Sequence, residues 1–199
     1  MSTVLYIKAN PKPDNASRTF RISSEFINAY SRKNPNDNIV TLDLYKEGIE
    51  FLSSESVMKH VTKPGEGKDD PVLKYAYQFL NADKYVLAEP LWNLGVPAIM
   101  KAYIDYITVT NITFKYTAEG PVGLCKGKAV NITSRGGEYS VPPMADFELG
   151  DRYLKTIFGF LGITDYITIA ANKLDVVGED VEAIVNDAIT NARNTAENF

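Results

Sequence analysis

Short apolar runs rich in β-branched and aromatic residues recur along the chain, separated by longer stretches with a different spacing. The runs lie at Val4–Ile7, Ile39–Leu42, Tyr85–Ala88, Ala129–Thr133 and Ile167–Ala170. Short continuous runs of this kind, bounded by turn-forming residues, are typical of buried strands. The pattern therefore predicts five strands.

The stretches between the runs carry helical spacing. Leu73, Ala76, Tyr77 and Leu80 recur at i, i+3, i+4 and i+7, which gathers them on one face of a helix. Four further segments repeat this spacing, and Ser17 is placed to cap the first of them: Phe20–Tyr30, Met100–Ile107, Leu154–Leu161 and Val181–Ala188. Residues 44–70 have weak periodicity and contain proline and glycine, so they are predicted to be an irregular excursion with room for a helical turn.

Strands that alternate with helices predict a parallel sheet with helices on both faces, because each parallel pair needs a crossover connection. Residues 1–199 show no internal repeat, linker or low-complexity tract and are interpreted as one α/β domain. Open sheets of this kind bind ligands beyond the carboxyl ends of their strands, at the switch in strand order. Function is therefore sought in the loops after the first, third and fourth strands.

Composition excludes several kinds of site. The chain has 199 residues, 45% of them hydrophobic, which suffices for a core without disulfides or metals. Its single cysteine, Cys125, and single histidine, His60, exclude a disulfide framework and leave too few soft ligands for a zinc or iron–sulfur site. With no secretion signal and no apolar run of membrane-spanning length, we expect a cytoplasmic protein without a resident metal.

Charge narrows the choice of partners. The net charge is −4, from 21 basic and 25 acidic residues, and the basic residues are scattered. Neither a nucleic acid nor a membrane is therefore expected as a partner. A single phosphate remains a candidate ligand, because backbone N–H groups bind an anion without net positive charge.

The loop after the first strand, residues 10–19, leads into a helix with two hydroxyls and an arginine. Free N–H groups and the positive end of the helix dipole favour an anion there, and Ser17 and Thr19 can donate hydrogen bonds to it. The loop contains no glycine, so the glycine-rich nucleotide motifs are absent. The pattern predicts a phosphate site, with the alternative that Ser17 is only a helix cap.

The loop after the third strand, residues 89–97, places the only tryptophan, Trp92, between two prolines. A stiff loop with a flat side chain suits a planar ligand, and N–H groups between the prolines can reach heteroatoms of a ring. The alternative is that Trp92 is a core or interface aromatic.

The loop after the fourth strand, residues 133–139, contains the adjacent glycines Gly136 and Gly137. Paired glycines allow close backbone approach, and their N–H groups suit the pyrimidine edge of a flavin, where negative charge gathers on reduction. The same pair would also fit an ordinary tight turn.

Together these loops resemble the FMN-dependent NADH–quinone and azo reductases of the flavodoxin-like superfamily, over nearly the whole chain. In that family an Asn-Pro loop ending in Ser-x-Ser holds the phosphate, a Pro-Met-Tyr-Asn-Phe-Gly loop lines the isoalloxazine, and Ser-Arg-Gly-Gly holds the pyrimidine edge. The resemblance implies a three-layer sandwich with strand order 2-1-3-4-5. It also implies these FMN-binding residues: Asn10, Ser17, Arg18, Thr19, Pro90, Leu91, Trp92, Asn93, Leu94, Ser134, Arg135, Gly136, Gly137 and Tyr139.

The resemblance further implies the chemistry. Flavin N5 would accept a hydride from NADH or NADPH and return it to a quinone or azo compound in the same slot, by a ping-pong mechanism that needs no catalytic side chain. The implied substrate pocket consists of Trp92, Phe114, Tyr116 and Phe158. Leu91, Trp92 and Leu94 replace the family's Met, Tyr and Phe, which alters the walls of this pocket.

The segment Thr113–Leu124 resembles the arm with which family members reach the partner's active site, and it predicts a homodimer. Its apolar and aromatic residues exceed what a solvated loop would hold. The alternative is a lid folded over the chain's own sheet.

Two other functions compete with the enzyme. A flavodoxin-like electron carrier would lack a substrate pocket, but such carriers are usually strongly acidic and have no arm. A phospho-acceptor receiver domain would need acidic residues after the first strand, where Lys8, Ala9 and Asn10 stand.

Overall fold

Seven strands and six α-helices make up the computed structural model, which describes residues 1–199. The strands are β1 (Thr3–Lys8), β2 (Asn38–Asp43), β3 (Lys84–Pro90), β4 (Phe114–Thr117), β5 (Gly120–Gly123), β6 (Lys128–Ser134) and β7 (Asp165–Ala171). The helices are α1 (Arg18–Lys33), α2 (Ser54–Met58), α3 (Lys74–Leu80), α4 (Ala98–Ile107), α5 (Gly150–Leu161) and α6 (Val181–Ala196).

Five of the strands form one parallel sheet in the order β2-β1-β3-β6-β7. Since β6 and β7 are the fourth and fifth strands predicted from the sequence, the predicted order 2-1-3-4-5 is confirmed. Pro90 of β3 lies opposite Ser134 of β6. The two strands therefore end at the same level, and their following loops start side by side.

The sheet separates two hydrophobic cores. Along β1, Leu5 and Ile7 face the core shared with α3, α4 and α5, while Val4 and Tyr6 face the core shared with α1 and α6. Successive side chains of a strand point to opposite faces, so an apolar residue is needed at every position of a strand covered on both sides. This requirement explains the continuous apolar runs in the sequence.

The predicted excursion at residues 44–70 contains only one short helix, α2, and is otherwise irregular. The predicted arm is an antiparallel hairpin of β4 and β5, which sequence analysis did not identify as strands. Its buried base is held against α5, because the N–H of Cys125 donates to the carbonyl of Leu161 at 2.9 Å. No helix in the chain combines the length and the apolar character that a membrane crossing requires.

Candidate active site

A cleft of about 290 Å³ lies at the carboxyl edge of the parallel sheet. It is lined by residues from the loops after β1, β3 and β6, where sequence analysis placed the ligand. Eight predicted cofactor-binding residues line it: Asn10, Arg18, Pro90, Leu91, Trp92, Ser134, Arg135 and Gly136.

The first wall of the cleft is the start of α1. The hydroxyl of Ser17 caps this helix by accepting from the N–H of Phe20 at 3.2 Å, and it also accepts from the amide of Asn10 at 3.1 Å. Its own hydrogen stays available for donation, because both bonds use the oxygen lone pairs. The backbone N–H groups of Arg18 and Thr19 have no acceptor within the chain. This end of α1 therefore offers the donors that an anion requires.

The hydroxyl of Thr19 was predicted to donate to a phosphate, but in the structure it does not line the cleft. Its side chain is fully buried, and its hydroxyl lies 2.6 Å from that of Ser134. This bond ties the start of α1 to the end of β6. Thr19 therefore positions the first and third loops relative to each other.

Arg18 reaches across the cleft to the loop after β7. Its Nη1 donates to the carbonyl of Leu174 at 3.0 Å and to Oδ1 of Asp175 at 2.9 Å. Leu174 and Asp175 line the cleft but were not predicted, because nothing in their local composition indicates a ligand site. Lys12 and Ala16 were also missed, although both belong to the loop assigned to phosphate.

The second wall is a tight turn after β3. Trp92 and Gly95 exchange backbone hydrogen bonds of 2.9 and 3.0 Å, and the residues between them have positive φ angles, 50° for Asn93 and 68° for Leu94. A leucine is rarely found in this conformation, and the strain it stores is common at functional sites. The N–H groups of Asn93 and Leu94 have no acceptor in the chain. Trp92 is 39% exposed, so it is not a core aromatic.

The third wall is the glycine pair after β6. The carbonyls of Arg135, Gly136 and Gly137 accept hydrogen bonds from the N–H groups of residues 173–175, at 2.9 to 3.1 Å. The N–H groups of both glycines have no acceptor within the chain. The loop after β7 therefore donates to the carbonyls of residues 135–137, and the N–H groups of Gly136 and Gly137 remain free to bind a ligand.

Tyr139 lies away from the cleft. It lines a neighbouring cavity of about 460 Å³, which shares Arg135 with the cleft. The guanidinium of Arg135 is buried, and its Nη2 lies 3.6 Å from Oε1 of Glu148. Arg135 therefore forms a partition between the two cavities, while the cofactor contact predicted for Tyr139 is not supported by its position.

A buried carboxyl group lies behind the second wall. Glu89, directly before Pro90, is completely buried, and one of its oxygens accepts from the amide of Asn131 at 3.2 Å. Burial raises the pKa of Glu89 to about 7, although this hydrogen bond acts in the opposite direction. Glu89 was not among the site residues predicted from the sequence.

The predicted substrate pocket needs one correction. Phe158 is completely buried in the core between the sheet and α5, with its ring 5.3 Å from that of Phe79 and 5.8 Å from that of Tyr85. It cannot reach a ligand, because its helical position faces the sheet. Phe114 is also buried, whereas Tyr116 at the arm is 69% exposed. Neither of these two lines the cleft of its own chain.

Comparison with known proteins identifies the family. A family model described as flavodoxin-like fold matches residues 2–196. The "FMN-dependent NADH:quinone oxidoreductase 2" of Clostridium acetobutylicum is 66% identical over 200 residues, covering 100% of both chains. The chain belongs to this family. It is therefore an enzyme, an oxidoreductase with the flavodoxin-like fold.

Solved structures agree with this membership. An azoreductase from Bacillus anthracis str. Sterne superposes on the present chain with a TM-score of 0.89 at 33% identity, covering 100% of both chains. An FMN-dependent NADH-azoreductase from Bacillus anthracis str. Ames Ancestor, solved in complex with FMN, gives a TM-score of 0.89 at 28% identity. That match covers 100% of this chain and 99% of the other.

Proposed function

We propose that this oxidoreductase binds FMN in the cleft and passes a hydride from NADH or NADPH to a quinone or an azo compound. The observation that carries the proposal is the set of backbone donors around the cleft. Each of the three loops bordering it has at least two N–H groups without an acceptor in the chain, among them those of residues 18 and 19, 93 and 94, and 136 and 137. Several donors converging on one cleft suit a ligand with several acceptors.

The donors fit the parts of FMN in turn. The start of α1, with Lys12 and Arg18 beside it, would hold the phosphate through N–H groups and positive charge. The N–H groups of Gly136 and Gly137 would stabilise the pyrimidine edge as it becomes more negative on reduction. Leu91 and Trp92 would supply an apolar wall for the ring.

When bound, FMN would supply the hydride chemistry at N5, and the protein would supply binding and orientation. No side chain in the cleft is arranged as a nucleophile with a base. Because one open face of the ring would have to receive nicotinamide and acceptor in turn, we propose a ping-pong mechanism.

Reconstitution tests this function. The apoprotein is titrated with FMN, and with FAD as the control, while flavin fluorescence is recorded. We expect FMN to bind and FAD to bind poorly. The loaded protein is then mixed with NADH or NADPH under anaerobic conditions, and the flavin absorbance should bleach. Absence of flavin binding in excess FMN would refute the proposal, and bleaching without turnover of any quinone or azo dye would favour the electron carrier.

We also propose that the protein is a homodimer in which the arm Thr113–Leu124 contributes to the partner's active site. Exposed apolar side chains support this: Tyr116 and Val122 on the arm are 69% and 43% exposed. The excursion beside the arm exposes Phe51, Met58 and Val61 at 76% or more. The two segments are neighbours, because Thr110 forms a β-bridge with Phe114 of the arm and donates its N–H to the carbonyl of His60 at 3.1 Å. Exposed apolar and aromatic side chains of this kind are typical of surfaces that a partner covers.

Sedimentation velocity at micromolar concentration tests the dimer. Tyr116→Ser should weaken the dimer and raise the KM for the acceptor together, and Phe147→Ser is a control at an exposed aromatic outside both the arm and the excursion. A monomer with full quinone reductase activity would refute the shared site.

A further inference from the structure

A buried polar cluster lies beneath the loop that starts at Pro90. Glu89 shares its face of β3 with the core residues Tyr85 and Leu87, and its Oε2 has no hydrogen-bond partner. The amide nitrogen of Asn131 on β6 donates both to Glu89 and, at 2.9 Å, to Oδ1 of Asp151 on α5. One amide group therefore bridges two carboxyl groups inside the protein.

The charged groups that face Glu89 come from three elements. Asp151 projects from α5, Arg135 from the loop after β6, and Tyr166 from β7, where its hydroxyl donates to Asp151 at 3.0 Å. Glu148 lies beyond them and pairs with Arg135. On α4, Lys101 and Asp105 are exposed and pair with each other. The only cation near Glu89 is thus already shared with another carboxylate.

This balance leaves Glu89 poised between two protonation states. Burial disfavours the carboxylate and raises the pKa of Glu89 to about 7, against the side chains of Asn131 and Thr133, which lower it. The charge of Asp151 raises this pKa further, and that of Arg135 lowers it. At neutral pH the proton is therefore easily gained or lost. A small change in the local charge would decide which state is occupied.

The cleft is where such a change would arise. Pro90, the next residue, lines the cleft, and so does Arg135, which faces the cluster. One added negative charge about 10 Å away, at an effective dielectric constant of about 20, shifts a carboxyl pKa upward by about one unit.

We propose that Glu89 is a redox-linked proton site, which takes up a proton when the cofactor in the cleft becomes more negative and releases it on reoxidation. The inference rests on the proposed function. Reduction of a quinone to a hydroquinone takes two electrons and two protons, of which a hydride supplies two electrons and one proton. The second proton of the hydroquinone comes from solvent. Glu89 takes its own proton from solvent on reduction and returns it to solvent on reoxidation, so the overall balance is unchanged. Glu89 touches neither substrate nor cofactor, so it acts through its charge and is a positioning residue.

The test measures protons taken up per flavin reduced. FMN-loaded protein is reduced electrochemically from pH 5.5 to 8.5, so that no nicotinamide or quinone is required, and the slope of the midpoint potential against pH gives the proton count. We expect an uptake near neutral pH that is larger in the wild type than in Glu89→Gln by up to about half a proton, the largest change that a pKa shift of about one unit allows. Redox-difference infrared spectra should show the carbonyl band of a protonated carboxyl group appearing on reduction, and this band should be absent from Glu89→Gln. Glu55→Gln, at an exposed site on α2, should match the wild type.

A second variant, which retains Glu89, provides a test that does not depend on the folding of Glu89→Gln. Asp151→Asn removes the neighbouring charge that raises the pKa of Glu89, so the extra uptake should remain and move to lower pH. Equal proton counts and identical infrared spectra for the wild type and Glu89→Gln would overturn the role of Glu89 while leaving FMN binding intact. A chain that retains no flavin would overturn the proposed function, and this inference with it.

Discussion

Gly123 offers a direct test of how the arm is attached to the rest of the fold. A Cβ at this position would lie 2.2 Å from the nitrogen of Gly162 and from the carbonyl carbon of Leu161, both backbone atoms at the end of α5. Ordinary contacts of a Cβ begin at 3.4 Å, so the hairpin and the helix end would have to separate by about 1.2 Å. Backbone on both sides leaves no flexible side chain to absorb the clash.

The magnitude follows from two terms. Overpacking of this kind costs about 1–3 kcal/mol, and the separation would also weaken the buried bond from Cys125 to Leu161, which contributes about 1 kcal/mol. We therefore expect Gly123→Ala to lower the free energy of unfolding by about 3 kcal/mol. For a chain of this length that corresponds to a fall in Tm of about 6–12 °C.

The assay is thermal and urea unfolding at fixed protein concentration, followed by circular dichroism. Gly159→Ala is the matched control, because it lies on α5 with nothing within 4 Å of the added Cβ. Helix propensity predicts that this control gains about 1 kcal/mol. A loss below about 1 kcal/mol in Gly123→Ala would show that the arm is not held by this contact.

Three further predictions concern the cleft and its surroundings. Ser17→Ala should raise the Kd for FMN about tenfold or more, since one bond to a charged phosphate contributes about 1.5–3 kcal/mol; turnover at saturating FMN should change little. Asp175→Asn should release Arg18 for the phosphate and lower this Kd about fivefold, the effect of about 1 kcal/mol for an exposed ion pair. Because the folded-state pKa of Glu89 lies above the ordinary 4.5, the folded state keeps its proton longer, and stability falls as pH rises from 4.5 to about 7. Relative to Glu89→Gln, the wild type should therefore lose about 3 kcal/mol across that window in urea titrations, with no further loss above it.

Matched variants control these measurements. Ser53→Ala also removes a helix cap, on α2, and should leave FMN binding unchanged. Glu182→Gln breaks the pair with Arg21, which is as exposed as the pair of Arg18 and Asp175 but does not line the cleft. Equal affinities in Asp175→Asn and Glu182→Gln would contradict the competition for Arg18. If the free energy of unfolding varied with pH in the same way in the wild type and in Glu89→Gln, the raised pKa of Glu89 in the folded state would be contradicted.

The sheet could be predicted from the sequence because burial on both faces leaves a continuous apolar run in each of its strands. The arm lacked that signal: in β4 only Phe114 is buried, while Lys115 and Tyr116 are exposed. Phe158 was assigned to the pocket by the family resemblance, and the helical spacing of its segment does not show how deeply its face of the helix is buried. Asp175 could not have been found locally, since its partner Arg18 is 157 residues away along the chain.

The free donors at residues 93 and 94 and at 136 and 137 belong to the main chain, which every residue type possesses. An enzyme that binds its cofactor through main-chain donors would keep its cofactor affinity separate from its acceptor specificity. Side chains such as Leu91 and Trp92 could then be exchanged, during evolution or in the laboratory, without loss of cofactor binding. A library randomised at these two positions is consequently a practical starting point for redirecting the catalyst toward new acceptors.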